Sequence, residues 1–542
     1  MQSLMQDIPL TTNWIFDRGV QYFGTKTVTT VTATGRQTQS YADVAEETRR
    51  LAAAIDSLGI SPGGRVGTFA WNTARHLGLY FAIPGTGRIM HTVNIRYFAE
   101  QVIYTVDHAE DEAIFVDRSL LPLLGQYLPS LHGVKHVIVM DDGATTEIPD
   151  DPRILDYDEL LASVEPIDFS DRVSDERQGA ALCYTTGTTG NPKGVLYSHR
   201  STWLHSNACL TTSVFALTEA DRILPVVPMF HANAWGIPYA AFLAGSALVM
   251  PGADLSPGSL ITLMESEKVT IAAGVPTIWM GMVPLLPDHD LSRLRTIICG
   301  GSAVPKALSE AWRATIGLPI TQAWGMTELS PLGSVCIMRS EFDDLPEDER
   351  ADIRATAGIA PPGVELRIVD ADTRQPLPWD DAASGELECR GPWIAKQYFK
   401  TDEPGEQFSP DGWLRTGDVA SISPLGYLRL VDRTKDLIKS GGEWISSVDL
   451  ENTIMGHPAV AEAAVIAVPH PKWSERPLAC VVVKPGESVT KEELLAFLAE
   501  RLTKWQLPDD IVFIDEVPKT SVGKFSKKTL RDRFGDHALP SV

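Results

Sequence analysis

The chain has 542 residues, 44% hydrophobic and 22% charged, a composition that suits a folded globular protein and excludes a disordered polyelectrolyte. Its 70 acidic and 47 basic residues leave a formal charge of -23, which disfavours nonspecific attraction to nucleic acid or anionic lipid, so an anionic substrate must meet a local cationic patch. At about one domain per 150 residues the length calls for several structural units.

Taken in chain order, Ser40 reads as the cap of an amphipathic helix over 41–59, with Val44, Leu51, Ala54, Ile55 and Leu58 on one face and Gly59 at its end. Short apolar runs at 65–70, 113–116, 137–140, 246–250 and 296–299 alternate with helical segments, which predicts an α/β architecture with largely parallel sheets. The longest uncharged stretch, 231–252, is interrupted by Asn233, Gly236, Pro238, Gly245 and Pro251. It reads as a buried strand-turn-helix segment and not a membrane span. From about residue 355 the texture changes to alternating strands with Gly turns, an antiparallel subdomain. A charged stretch at 432–436 then precedes a small α+β tail with strands near 463–468 and 478–483 and a helix near 491–503. Six scattered cysteines form no Cys-x-x-Cys pair and read as reduced core residues. The N-terminus lacks a basic region followed by an apolar run, so the expected location is the cytoplasm.

The most informative stretch is Thr185-Thr186-Gly187-Thr188-Thr189-Gly190-Asn191-Pro192-Lys193-Gly194. Hydroxyls, glycine N–H groups and one ammonium can wrap the oxygens of a phosphate. Two residues separate Gly187 from Gly190 and Lys193 is followed by Gly194, so the loop is not the common nucleotide-binding loop of kinases and GTPases. By itself a Thr/Gly-rich segment reads equally as a surface loop. It follows an apolar run at 180–184 that suits a buried strand and leads through 194–200 into a segment of helical character.

This order resembles the phosphate-binding signature of the adenylate-forming superfamily: acyl-CoA synthetases, firefly-type luciferases and the adenylation domains of peptide synthetases. Four further motifs extend the resemblance over roughly 10–530. Ala323-Trp324-Gly325-Met326-Thr327-Glu328 resembles the segment that stacks an aromatic ring on adenine while a Glu holds Mg2+, with Trp324 in place of the more usual Tyr. The loss of that Tyr keeps a stacking face and removes a phenol oxygen. Asp418 falls where the family accepts hydrogen bonds from both ribose hydroxyls, and Arg433 holds the same sugar from the hinge side. Lys439-Ser440-Gly441-Gly442-Glu443-Trp444 resembles the glycine hairpin that admits the pantetheine arm of CoA. Lys524 matches the C-terminal lysine that stabilises charge between the carboxylate and the α-phosphate of ATP. Each motif taken alone also has a plain reading as core packing, a turn or a solvated lysine.

On the acyl side the resemblance places His231 near the start of a helix bordering the acid. It lines the acyl pocket with His231, Trp235, Gly274 and Gly300, and sets Gly301, Ser302 and Ala303 near adenine. These walls carry no acidic residue of the kind that anchors an amino-acid ammonium, which favours a fatty or aryl acid. The implied fold is a large N-terminal AMP-binding domain, 1–433, of two αβ subdomains plus an antiparallel β subdomain, and a small mobile α+β lid, 434–542, with a hinge near Lys435. The implied catalytic groups are Lys524, Glu328 and His231, with Glu328 and Thr185 as metal ligands. The implied activity is ATP- and Mg2+-dependent ligation of CoA to a short- to medium-chain fatty or methylthio carboxylic acid through acyl-AMP, most like medium-chain acyl-CoA and 3-methylmercaptopropionate ligases. A loader of carrier proteins and an aryl-CoA ligase are the alternatives. Only 18 residues follow Lys524, which favours free CoA. No nucleic acid or membrane insertion is expected, and a homodimer is compatible with the class.

Overall fold

The first helix read from the pattern begins where its cap is strongest. In the computed structural model, which describes residues 4–185, 191–441, 443–519 and 525–540, the Tyr41–Ser57 helix opens on a capping box in which Ser40 and Asp43 exchange hydrogen bonds. Gly59 follows its end with φ +68°, a left-handed conformation that glycine adopts at low cost.

The apolar runs become buried strands of two large sheets. One has seven described strands, ordered Ile154–Asp156, His136–Met140, Asp111–Asp117, Arg65–Phe69, Ile89–Thr92, Gly179–Tyr184 and Gly194–Ser198. All neighbours are parallel except the last pair, the hairpin that flanks the phosphate loop. Residues 194–198 are therefore strand, and the helix begins only at His199. The second sheet has eight described strands, with a parallel centre formed by Ala247–Met250, Arg222–Pro225, Ile271–Gly274, Thr296–Cys299 and Ile320–Gly325. Antiparallel strands close both of its edges.

The predicted antiparallel subdomain is a four-stranded sheet, Glu365–Val369, Ser384–Arg390, Leu414–Ile422 and Leu428–Arg433. Beyond Arg433 the chain builds a separate sheet from Ile438–Ser440, Glu443–Ile445, Val460–His470, Ser474–Val483 and Asp510–Phe513. The helix expected over 491–503 ends earlier, at Ala499. The C-terminal sheet buries its own apolar cluster around Ile438, Leu450, Val465, Val481 and Leu498.

A polar cluster ties this unit to the strand before it. Asp432 is buried and accepts from the Ser447 N–H at 2.7 Å, while Lys527 pairs with Glu451 at 2.8 Å and donates to the Ser447 hydroxyl. No helix among the described residues is long and apolar enough to cross a membrane.

Candidate active site

Gly274, Cys299 and Gly325 end adjacent parallel strands, and the carboxyl ends of such strands are where open α/β sheets bind ligands. Glycine is needed there for close approach: a Cβ added at Gly300 would lie 2.7 Å from the Ala323 carbonyl and 3.4 Å from the Trp235 ring, and one at Gly274 would lie 2.7 Å from the Trp279 ring. Trp235, Gly300 and Ala323 thus meet on one wall.

His231 and Trp235 flank a backbone outlier. Ala232, Asn233, Ala234 and Trp235 have φ of 43°, 53°, 48° and 57°, followed by Gly236 at 71°. The helix expected after His231 is a left-handed turn, and the right-handed helix starts only at Ile237. Left-handed non-glycine residues cost about 1–2 kcal/mol each, so the surroundings must over-determine them. Asn233 Oδ1 accepts from the Thr92 hydroxyl at 3.3 Å and from the Cys183 thiol at 3.2 Å, and the buried His205 ring lies beneath Gly236. Strain held this firmly beside a pocket points to function.

The next strand carries the ring, and the turn after it carries the Glu328 carboxylate. Trp324 is buried, and a Cβ at Gly333 would collide with its six-membered ring. Its indole N–H donates to Asp418 Oδ2 at 2.9 Å. Arg433 Nε meets the other oxygen, Oδ1, at 2.9 Å. Asp418 holds the Arg433 guanidinium above its ordinary pKa, so the arginine stays charged. Both Asp418 oxygens are anchored, one from the Ile320–Gly325 strand and one from the end of the Leu428–Arg433 strand.

Glu328 is 5% exposed, its Oε1 accepts from the Tyr398 hydroxyl at 2.7 Å, and its backbone carbonyl accepts from the Ala395 N–H at 2.8 Å. The Lys193 ammonium sits 4.7 Å above the centre of the Tyr398 ring. The segment carrying Tyr398 is tied to the phosphate loop as well, because the Phe399 N–H donates to the Gly194 carbonyl at 2.8 Å. At the base of that loop the Thr185 hydroxyl accepts from the Lys193 N–H at 3.1 Å, and the Thr185 carbonyl accepts from Tyr97 at 2.9 Å. Thr327 is held through its carbonyl by Tyr197 at 2.7 Å. A loop of hydroxyls and one lysine, an anchored carboxylate pair and a wall of glycines suit a nucleotide.

The comparisons agree with that chemistry. The AMP-binding enzyme family matches residues 16–399, and the AMP-binding enzyme C-terminal domain matches residues 449–524. The chain belongs to the AMP-binding enzyme family. It is 43% identical over 539 residues to the 3-methylmercaptopropionyl-CoA ligase of Ruegeria lacuscaerulensis, covering 99% of both chains. It is 44% identical to the long-chain-fatty-acid–CoA ligase of Thermus thermophilus, over 99% of this chain and 97% of the other. Among solved structures it resembles an anthranilate CoA ligase in complex with anthranoyl-AMP, at TM-score 0.86 and 25% identity over 98% of this chain and 99% of that one.

Within this family member the contacts form two sets: Thr185, Lys193, Tyr398 and Glu328 in one, and Trp324, Asp418 and Arg433 in the other, with Ala323 and Thr327 on the 323–328 segment that carries a member of each. Gly325 and Met326 continue the Trp324 strand toward Pro331, whose carbonyl accepts from the Met326 N–H at 3.0 Å. Gly301, Ser302 and Ala303 follow the end of the Thr296–Cys299 strand, with Ser302 exposed. Thr186, Gly187, Thr188, Thr189, Gly442 and Lys524 lie outside the described residues.

The hairpin expected to admit CoA makes its contacts elsewhere. Lys439 N–H donates to Glu475 at 2.8 Å, Ser440 accepts from Arg476 at 3.0 Å, and Gly441 N–H donates to the Trp473 carbonyl at 2.8 Å, all within the C-terminal unit. Trp444 is 42% exposed. Sequence reasoning missed Tyr398, which no motif marks, and it missed the donor that Trp324 brings in place of the phenol oxygen.

Proposed function

We propose that this chain joins CoA to a short- to medium-chain fatty or methylthio carboxylic acid in two half-reactions at one site. In the first, a carboxylate oxygen attacks the α-phosphorus of ATP, forming the acyl-AMP anhydride and breaking the bond to pyrophosphate. In the second, the CoA thiol gives up its proton and attacks the acyl carbonyl, forming the thioester and releasing AMP. Activation lies in the anhydride, whose leaving group is a stable phosphate monoester.

Each role follows from side-chain chemistry. Lys193 and the hydroxyls of its loop bind the phosphates of the leaving pyrophosphate. Asp418 takes the ribose hydroxyls with Arg433 beside it, and Trp324 offers its indole face to adenine. Lys524 supplies positive charge between the attacking carboxylate and the α-phosphate, where charge builds in the transition state. His231 and Trp235 border the acyl chain, and the Gly441 hairpin leaves room for pantetheine. We place the hinge near Lys435, between the strand ending at Arg433 and the one starting at Ile438, so that Lys524 and the hairpin alternate. Burial and the nearby Arg433 and Arg531 lower the Lys435 pKa.

A divalent cation fits the donors present. Glu328 keeps Oε2 without a hydrogen bond among the described residues, and Thr185 adds a hydroxyl. Hard oxygen donors of this kind, completed by substrate phosphates, are what Mg2+ takes. No group of three metal-ligating side chains exists among the described residues, consistent with a cation held jointly with nucleotide. When bound, Mg2+ neutralises charge on the phosphate oxygens.

The observation that carries this reading is the unbroken chain of contacts from Lys193 through Tyr398 and Glu328 on one side and from Trp324 through Asp418 to Arg433 on the other. Short to medium chains are favoured by Trp235, whose ring lies against Gly300 and shortens the pocket. Relatives do not sort chain length, since ligases named for 3-methylmercaptopropionate and for long-chain acids stand at 43% and 44% identity. Six free, buried cysteines suit the reducing cytoplasm.

Pyrophosphate release measured with a panel of acids, with and without CoA, tests the proposal. C3 to C10 and methylthio acids should give the highest kcat/KM. A maximum with C16 or longer acids, with amino acids or with aryl acids would overturn the substrate reading, and a carrier protein outcompeting CoA would overturn the acceptor.

A further inference from the structure

Lys193 and Glu328 carry opposite charges close to one buried side chain, yet no ion pair forms between them. What separates them is Tyr398, 9% exposed. Its ring face holds the ammonium at 4.7 Å, and its hydroxyl, at the ring edge, holds Glu328 Oε1 at 2.7 Å. Phe408 packs edge-on against the ring at 5.6 Å, and the Thr401 hydroxyl donates to the Tyr398 carbonyl at 2.9 Å. Neighbours thus hold the residue at its ring and at its backbone.

We infer that Tyr398 is a positioning residue that keeps Lys193 and Glu328 apart and aimed, so that the lysine stays free for phosphate and one carboxylate oxygen stays free for the divalent cation. This rests on the nucleotide site proposed above. The physical reason is competition. An ammonium and a carboxylate allowed to meet in a half-dry cleft would pair with each other, and both would then be lost to ligand. A π-face attracts the ammonium without neutralising it as a carboxylate would. The phenol O–H has a single proton and gives it to Oε1, which orients the carboxylate and leaves Oε2 without a hydrogen bond among the described residues.

The two functions of the side chain separate by mutation. Tyr398→Phe keeps the spacer and removes the clamp, and Tyr398→Ala removes both. Calorimetric titration with ATP, in the presence of Mg2+ and in its absence with EDTA, reads the two effects without turnover. Tyr398→Phe should cut the gain in ATP affinity from Mg2+ by about tenfold or more, the scale of one hydrogen bond to a charged group, and leave Mg2+-free affinity within about twofold. Tyr398→Ala should weaken ATP in both conditions. In a Glu328→Gln background, Tyr398→Phe should have no further effect on the Mg2+ gain, which separates positioning from a general loss of packing. An unchanged Mg2+ gain in Tyr398→Phe, or equal losses by Phe and Ala in both conditions, would overturn the inference. Failure of the wild-type chain to take up ATP at all would instead remove the nucleotide reading on which it stands.

Discussion

The two regions that must cooperate are built to different standards of rigidity. The nucleotide cradle is pinned across distant segments: Trp324 to Asp418, Glu328 to Tyr398, and Gly194 to Phe399. Among the described residues the Gly441 hairpin makes hydrogen bonds within its own unit, to Trp473, Glu475 and Arg476. A site that stabilises charge in a transition state gains from donors fixed beforehand, whereas a hairpin that alternates with Lys524, as proposed above, would gain from moving as one body with its domain. The difference is what the proposed function requires, with the C-terminal unit carrying two tools and the N-terminal domain serving as the bench on which both act.

The sharpest way to break that contrast is Lys524→Ala. Adenylation, followed by pyrophosphate release, should fall by about 10²- to 10³-fold, as for loss of one preorganised group, while thioester formation from supplied acyl-AMP persists. Equal loss of both steps would mean that the tools do not alternate.

Gly441→Ala is the mirror experiment. Gly441 has φ +62°, and an added Cβ would lie 2.6 Å from the Trp473 ring. The thioester step should drop by about tenfold or more, since a left-handed Ala costs about 1 kcal/mol before any clash, with adenylation unchanged.

Trp324→Phe sharpens the cradle side. It keeps a ring and removes the donor to Asp418, so KM for ATP should rise about tenfold. The preference for ATP over 2′-deoxy-ATP should shrink with it, because Asp418 loses one of its two anchors.

The smallest effect is on stability against pH. Burial pushes the imidazoles of His76, His199 and His205 down to about 4, all three within the N-terminal domain. The unfolded chain takes up these protons near pH 6.5 and the folded one does not. Stability is therefore intact above that pH and falls as pH drops from about 6.5 to about 4. In His205→Asn the slope of unfolding free energy over that window, read from urea midpoints, should flatten by up to about 1.4 kcal/mol per pH unit.

Much of the cradle was legible because it is written in contiguous runs. Ala323 to Glu328 runs off a strand end into a short turn, and apolar strands such as 296–299 announce themselves by β-branched residues. Contacts across the chain were not legible. Tyr398 reaches Glu328 over 70 residues, and Trp324 reaches Asp418 over 94, separations that no periodicity encodes. The left-handed turn at Ala232 to Gly236 was invisible for another reason. Its strain is carried by Thr92, Cys183 and His205 from other segments, and Ala-Asn-Ala-Trp by local propensity reads as right-handed helix.

The most direct test of the whole account is a crystal structure with a hydrolysis-resistant octanoyl-sulfamoyl-adenosine. The ribose should lie on Asp418 and Arg433, adenine against Trp324, and the acyl chain should run past His231 toward Trp235 and Gly300. Density for the adenosine elsewhere, or a ribose out of reach of Asp418, would contradict it.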